Sequence, residues 1–170
     1  MKTKSVFYLL ATLLVTMAFF SSAIMARAET AAEIDRDVDA GIEKLYAASP
    51  AAKELGKVSK GILVFPNVIK GGLVVGGQYG KGALREDGKT VGYYNTVAAS
   101  YGLQAGVQSF GYALFFMSES ALEYLKKSSG WEIGVGPSIV VVDEGKARAL
   151  TTTTAKDDIY VFFYGQKGFM

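Results

Sequence analysis

The chain contains no cysteine and no histidine, and these two absences remove much of the usual chemistry of sites. Without cysteine it can form no disulfide and carry no acylated cysteine of the lipoprotein type. Without histidine a serine hydrolase of the usual kind has no general base. Zinc and most transition-metal sites lose their best ligands with both. A strong charge of one sign is lacking as well. The 18 basic residues include Lys2, Lys4 and Arg27 in a leading segment free of acids; removing those three leaves 15 basic against 16 acidic residues, a formal charge of −1. That balance opposes nucleic-acid binding, even though Tyr79, Tyr93, Tyr94 and Tyr101 lie near lysines in a texture that can stack on unpaired bases. No linker, low-complexity tract or strict repeat interrupts the chain.

The leading segment reads as an address. A basic start at Lys2 and Lys4 precedes an apolar run from Val6 to Phe20, and Ala26-Arg27-Ala28 supplies a small-x-small cleavage pattern. Residues 1–28 are therefore expected to be a cleavable signal peptide, with an uncleaved anchor as the competing reading. Export of a chain without cysteine points to a bacterial periplasm. Residues 29–170 are expected to form a single domain, long enough to bury a core of its own.

Periodicity divides that domain into helices followed by strands. Ile34, Val38, Ile42 and Leu45 recur at helical spacing with the acids pointing elsewhere, and Ser49-Pro50 starts a second, short helix through Val58. Strand texture then takes over: Ile62 to Phe65, ended by Pro66-Asn67; a strand from Leu73 to Arg85; a turn at Glu86-Asp87-Gly88-Lys89; and two strands from Val91 to Met117 with a bend near Tyr101-Gly102. Ser120 to Glu123 resembles a capping box opening one inserted helix, which Gly130 stops. Trp131 to Val142, Ala147 to Thr154 and Asp158 to Tyr164 read as further strands, with a turn at Asp143-Glu144-Gly145-Lys146. The expected fold is α+β, a mostly antiparallel β-barrel or sandwich with N-terminal helices and one short inserted helix.

The glycine-rich stretch Val74 to Gly82 invites comparison with a phosphate-binding loop. Gly76 stands one residue too close to Gly80-Lys81, and Gly82 offers no hydroxyl for magnesium, so the P-loop pattern fails. The spacing of Gly77, Gly80 and Gly82 fails the dinucleotide pattern too. Glycine alternating with Leu, Val, Gln and Tyr suits a bulged or tightly coiled strand, in which Lys81 and Arg85 share parity and emerge on one side. Ala98 to Gly102 lacks the first glycine of a nucleophile elbow. The acid pairs Asp143-Glu144 and Asp157-Asp158 sit in predicted turns, where such residues are ordinary. The reading is therefore of a protein that is not an enzyme and uses no metal or cofactor. Charge is unevenly spread: residues 29–46 hold six acids against two bases, and residues 53–89 hold seven bases against three acids, the latter compatible with an anionic surface partner.

Taken in order, Ser59-Lys60-Gly61-Ile-Leu-Val-Phe-Pro66, Ile69-Lys70-Gly-Gly-Leu-Val-Val-Gly-Gly-Gln-Tyr-Gly-Lys-Gly82, Tyr101-Gly-Leu-Gln-Ala-Gly106, Trp131-Glu-Ile-Gly-Val-Gly-Pro137 and Asp158-Ile-Tyr-Val-Phe-Phe-Tyr164 resemble the SYLF domain, also called the Ysc84 or DUF500 family. The resemblance covers nearly all of residues 29–170, in the manner of a bacterial exported member. It departs at the end, where family members continue into a further glycine-rich strand and this chain stops at Met170. The resemblance implies binding of anionic phospholipid headgroups at an envelope membrane, with Lys60 and Lys70 at matching positions. Lys81 and Arg85 are added from the local basic bias. Actin binding is known for eukaryotic relatives and is not expected here. Two other functions compete: a carrier of a small hydrophobic ligand, and a periplasmic protein-interaction or structural module.

Overall fold

The computed structural model describes residues 29–73, 75–101, 105–128, 136–143, 147–148 and 150–169. The expected signal peptide, the bend at Gly102, the stop at Gly130, the strand start at Trp131 and most of the turn at 143–146 lie outside the described residues. Helix α1 (Ala31–Ala48) opens with a complete capping box, in which the Thr30 side chain accepts from the Glu33 N–H and the Glu33 carboxylate accepts from the Thr30 N–H at 2.8 Å. Its stripe of Ile34, Val38 and Leu45 is buried. Ser49 closes α1 and caps α2 (Pro50–Gly56), whose proline occupies the first turn, where its missing N–H is not needed.

Four long strands follow: β1 (Gly61–Gly72), β2 (Val75–Glu86), β3 (Lys89–Tyr101) and β4 (Gly106–Phe116). Helix α3 (Glu119–Lys127), the short β5 (Ile139–Val142) and β6 (Ile159–Phe169) complete the described elements. The strands form one sheet in the order β3-β2-β1-β4-β6-β5, antiparallel throughout except for β5 beside β6. The fold is thus α+β and mostly antiparallel, with the two N-terminal helices and the inserted helix α3 in the expected places. The sheet does not close into a barrel. Strand alternation explains why: Val64, Ala83, Ala113, Phe115 and Phe162 pack under α1 and α2, whereas Leu63, Leu84, Leu114, Phe116 and Val161 pack against α3. At this end of the sheet helices cover both faces, so neither is left as the interior of a barrel, and among the described residues β3 and β5 are the edge strands.

Three local readings require correction. Pro66-Asn67 does not end β1; the strand absorbs them as a bulge between Val64 and Val68 and runs on to Gly72. The bulge therefore lies in β1, and β2 stays in register with it on either side, so the parity of Lys81 and Arg85 survives. The cap of α3 is Ser118, accepting from the Ala121 N–H, and not Ser120. Residues 147–154 contribute no strand among those described: Ala147 and Arg148 are helical and Thr152 to Thr154 turn. A parallel β5–β6 pair cannot be joined by a hairpin. The segment is the crossover between them, and Ala147, Leu150 and Ala155 pack onto the α1 side of the core.

The glycine-rich stretch is strand β2, and at Gly82 the absence of a side chain is a steric necessity. A Cβ there would run into the Val64 carbonyl oxygen of β1 and lie 2.8 Å from the Phe65 ring.

Candidate functional site

The four basic residues singled out from the sequence do not converge. Lys60 precedes β1 and sits 3.6 Å from Glu119 of α3. Lys70 lies ten residues further along, roughly 33 Å at the rise of a strand, opposite Gln78 and Gln108 on the α3 side of the sheet. Lys81 is on the α1 side, 3.9 Å from Glu29. Arg85 shares that side, but its charge is consumed internally. Only 12% of its side chain is exposed, and its Nη2 donates to Asp39 Oδ1 at 2.6 Å and to the Asp35 carbonyl at 3.1 Å. Thr90 and Tyr93 of β3 donate to the two oxygens of the Asp35 carboxylate at 2.6 and 2.9 Å. These bonds, with Arg85 adding a smaller share, hold Asp35 below the usual carboxylate range. Arg85 and Asp35 are thus the clamp that fastens α1 across β2 and β3.

Beyond the N-terminus of α1, the same sheet face continues with no cover from the described residues. Register places Val97, Tyr79, Ile69 and Ser109 in one row across β3, β2, β1 and β4, with Lys167 of β6 at its end. The next row holds Ala99, Gly77, Gly71 and Val107, and Val75 follows. Ile69, Val75, Tyr79, Val97 and Val107 are 49–73% exposed, and Leu73 at the β1–β2 tip is 74% exposed. The opposite face at this end is polar or small: Lys70, Gln78, Gln108 and Ala98. The far end of the sheet is therefore two-faced, apolar on the α1 side and bordered there by Lys81 and Lys167. Among the described residues no helix is long and apolar enough to cross a membrane.

Where the covered and uncovered halves of that face meet, a cleft of about 280 Å³ opens between α1 and the sheet. Two strands bulge at this level, β1 at Pro66-Asn67 and β6 between Tyr164 and Lys167, on either side of a β4 that stays regular through Gly111. From α1 the residues Asp37, Ala40, Gly41 and Lys44 face it at helical spacing. Tyr164 stands in a slot between two glycines: a Cβ on Gly41 would overlap its hydroxyl, and a Cβ on Gly111 would lie 2.5 Å from its ring. The residue is only 7% exposed and its hydroxyl has no hydrogen-bond partner among the described residues. Burial pushes that hydroxyl far above the ordinary tyrosine range, so it remains a proton donor. Sequence reading missed this constellation. Its signals were the stripe Asp37-Ala40-Gly41-Lys44 and Gly165, whose φ of +63° suits glycine.

The pair Asp157-Asp158 has structural surroundings, whereas Glu144 of the other pair lies outside the described residues. Asp158 accepts from Ser118 Oγ at 2.8 Å and from the N–H and Oγ of Ser138 at 3.0 Å each, which tie α3 and the start of β5 to β6. Asp157 accepts from Tyr160 at 3.3 Å. Residues 98–101 lie within β3 and not in the strand-to-helix turn that a nucleophile elbow requires. Among the described residues, no three His, Cys, Asp or Glu side chains group as metal ligands. Comparison with known protein families finds no family that matches the chain, and comparison with curated proteins finds no match either.

Proposed function

We propose that the chain is a non-enzymatic, lipid-binding domain of the SYLF kind, exported to the periplasm through a cleavable signal peptide, that recognises anionic phospholipid headgroups at an envelope membrane. The observation that carries this reading is the uncovered apolar end of the α1 face, bordered by Lys81 and Lys167. Contiguous exposed apolar surface on a folded domain marks a place of contact. A lysine close to an anionic membrane contributes about 1 kcal/mol, so a cationic border beside an inserting apolar surface favours anionic over neutral bilayers. Lys70 lies at the same end of the sheet but on its other face, opposite Gln78 and Gln108. Lys60 and Arg85 stand apart from that border, beside Glu119 and Asp39.

A carrier of a hydrophobic ligand would need an enclosed apolar interior. The clefts described lie at the surface and carry charged side chains, as at Lys44 and Lys167 or at Asp39 and Arg85. Co-sedimentation is the test. The protein should pellet with phosphatidylglycerol or cardiolipin vesicles, not with phosphatidylcholine vesicles, and less as salt rises. Replacing Ile69 and Val97 together by Ser should release it from anionic vesicles without lowering its melting midpoint. Equal recovery on neutral and anionic vesicles, or full retention by the double variant, overturns the reading.

A further inference from the structure

We propose that the cleft between α1 and the bulged stretches of β1 and β6, with β4 between them, is a phosphate-ester site, with Lys44 and Lys167 neutralising the phosphate and Ser109 and Tyr164 donating hydrogen bonds to it. This inference deepens the membrane reading by locating the headgroup beside the apolar surface, at residues other than Lys60, Lys70, Lys81 and Arg85.

Charge comes first. Lys44 and Lys167 line the cleft from opposite walls, one on the helix and one on β6, and neither ammonium has an ion pair among the described residues. The one acid in the lining, Asp37, has its carboxylate 3.7 Å from Arg36, so the cleft keeps a cationic excess. The Lys44 ammonium lies over the glycine backbone of the β6 bulge, its Nζ 2.5 Å from where a Cβ on Gly165 would stand. Lys167 is two residues further along β6 and pairs in register with Ser109, whose hydroxyl faces the same side.

The second, independent observation is Tyr164. A buried hydroxyl without a partner costs about 1–3 kcal/mol, and such a group in a native protein calls for an explanation, a bound ion among them. Tyr164 lines the cleft, is more than nine-tenths buried and keeps its proton. A phosphate oxygen settling between the two ammoniums gives this hydroxyl an acceptor after a small outward shift of the Lys44 side chain, which is itself exposed. Size sets the ligand class. At about 280 Å³ the cleft falls just below the range of drug-sized ligand sites, roughly 300–1,000 Å³, so it suits a headgroup or a small phosphate ester and leaves acyl chains to the apolar surface next to it.

The experiment is a titration of the full chain with glycerol 1-phosphate, inorganic phosphate and, as a neutral control, glycerol, read from backbone amide shifts at Ser109, Gly111, Gly165 and Lys167. Saturable shifts with both phosphates and none with glycerol are expected. Lys44→Gln with Lys167→Gln should weaken binding at least about tenfold, since hydrogen bonds to charged groups are the stronger kind, at an unchanged melting midpoint. Tyr164→Phe should weaken it several-fold while leaving the fold no less stable. The absence of saturable shifts, or unchanged affinity in the lysine double variant, overturns the site. Vesicles separate the two sources of phosphate: competition by glycerol 1-phosphate for phosphatidylglycerol vesicles assigns the headgroup, whereas phosphate binding that leaves vesicle binding untouched assigns a free phosphate ester. Vesicle binding without phosphate shifts sinks the cleft alone, and phosphate shifts without vesicle binding sink the membrane reading alone.

Discussion

Replacing Gly41 by Ala is ordinarily a stabilising change in a helix, worth about 1 kcal/mol from propensity. In this protein it should do the reverse. The added methyl would overlap the Tyr164 hydroxyl and stand 3.3 Å from Pro66 Cβ. The tyrosine cannot swing aside, because its ring fills the space over Gly111 and the residue is 7% exposed. Overpacking of a tight contact costs about 1–3 kcal/mol, so Gly41→Ala should be neutral to destabilising by about 2 kcal/mol once the propensity gain is set against it. Tyr164→Phe deletes the oxygen and leaves a ring carbon at 3.4 Å, an ordinary contact. It also removes a buried hydroxyl that has no partner among the described residues, so by itself it should not destabilise. On that background Gly41→Ala should recover its full gain of about 1 kcal/mol. Urea unfolding of the four proteins, followed by far-ultraviolet circular dichroism, gives the coupling directly, and about 1–3 kcal/mol is expected. A coupling below about 0.5 kcal/mol, the scatter of independent sites, would refute the slot. Strong destabilisation by Tyr164→Phe alone would show instead that the hydroxyl has a partner in the folded protein.

Gly82→Ala should be damaging in any background, by about 1–3 kcal/mol or more, because the obstacle is the Val64 backbone of the neighbouring strand; a variant with an unchanged urea midpoint would contradict the β1–β2 register. Phe115→Ala, at a residue with no exposed surface that meets Phe162 edge-on at 5.3 Å, should cost about 3–5 kcal/mol, and a loss under about 1 kcal/mol would mean that the sheet does not pack under α1 as described. Asp35 and Asp158 are both held below the ordinary aspartate range by hydrogen bonds from Thr90 and Tyr93, and from Ser118 and Ser138. Their folded values are lowered, so the stability they confer is complete above the unfolded value of about 3.9 and fades as pH falls through the lowered folded values. Melting midpoints measured down a pH series should drop across that acidic window, and Asp158→Asn should flatten part of the drop; a variant with the same slope as the parent would exclude Asp158 as a contributor.

The sequence by itself determined whatever rests on local chemistry. The stripe of Ile34, Val38 and Leu45 and the Ser49-Pro50 junction specify α1 and α2, because helical spacing and capping act within a few residues. Alternation along Leu73 to Arg85 placed Lys81 and Arg85 on one side of a strand, which needs only a period of two. The absence of histidine and cysteine bounded the chemistry in the same way. Only the tertiary structure decided the rest. A bulge at Pro66-Asn67 reads locally as a stop, and the strand continues because β2 and β4 pair with it on both sides. Residues 147–154 have the texture of a strand, but the parallel neighbourhood of β5 and β6 demands a crossover there. Charge was the least legible quantity. Lys60 and Arg85 look like free cations until the fold brings Glu119 and Asp39 beside them, whereas Lys44 and Lys167, 123 positions apart in the chain, become neighbours of one cleft only when α1 lies across β6. Sequence spacing carries no information about such pairs, because a contact across a sheet is set by register and by which face a helix covers.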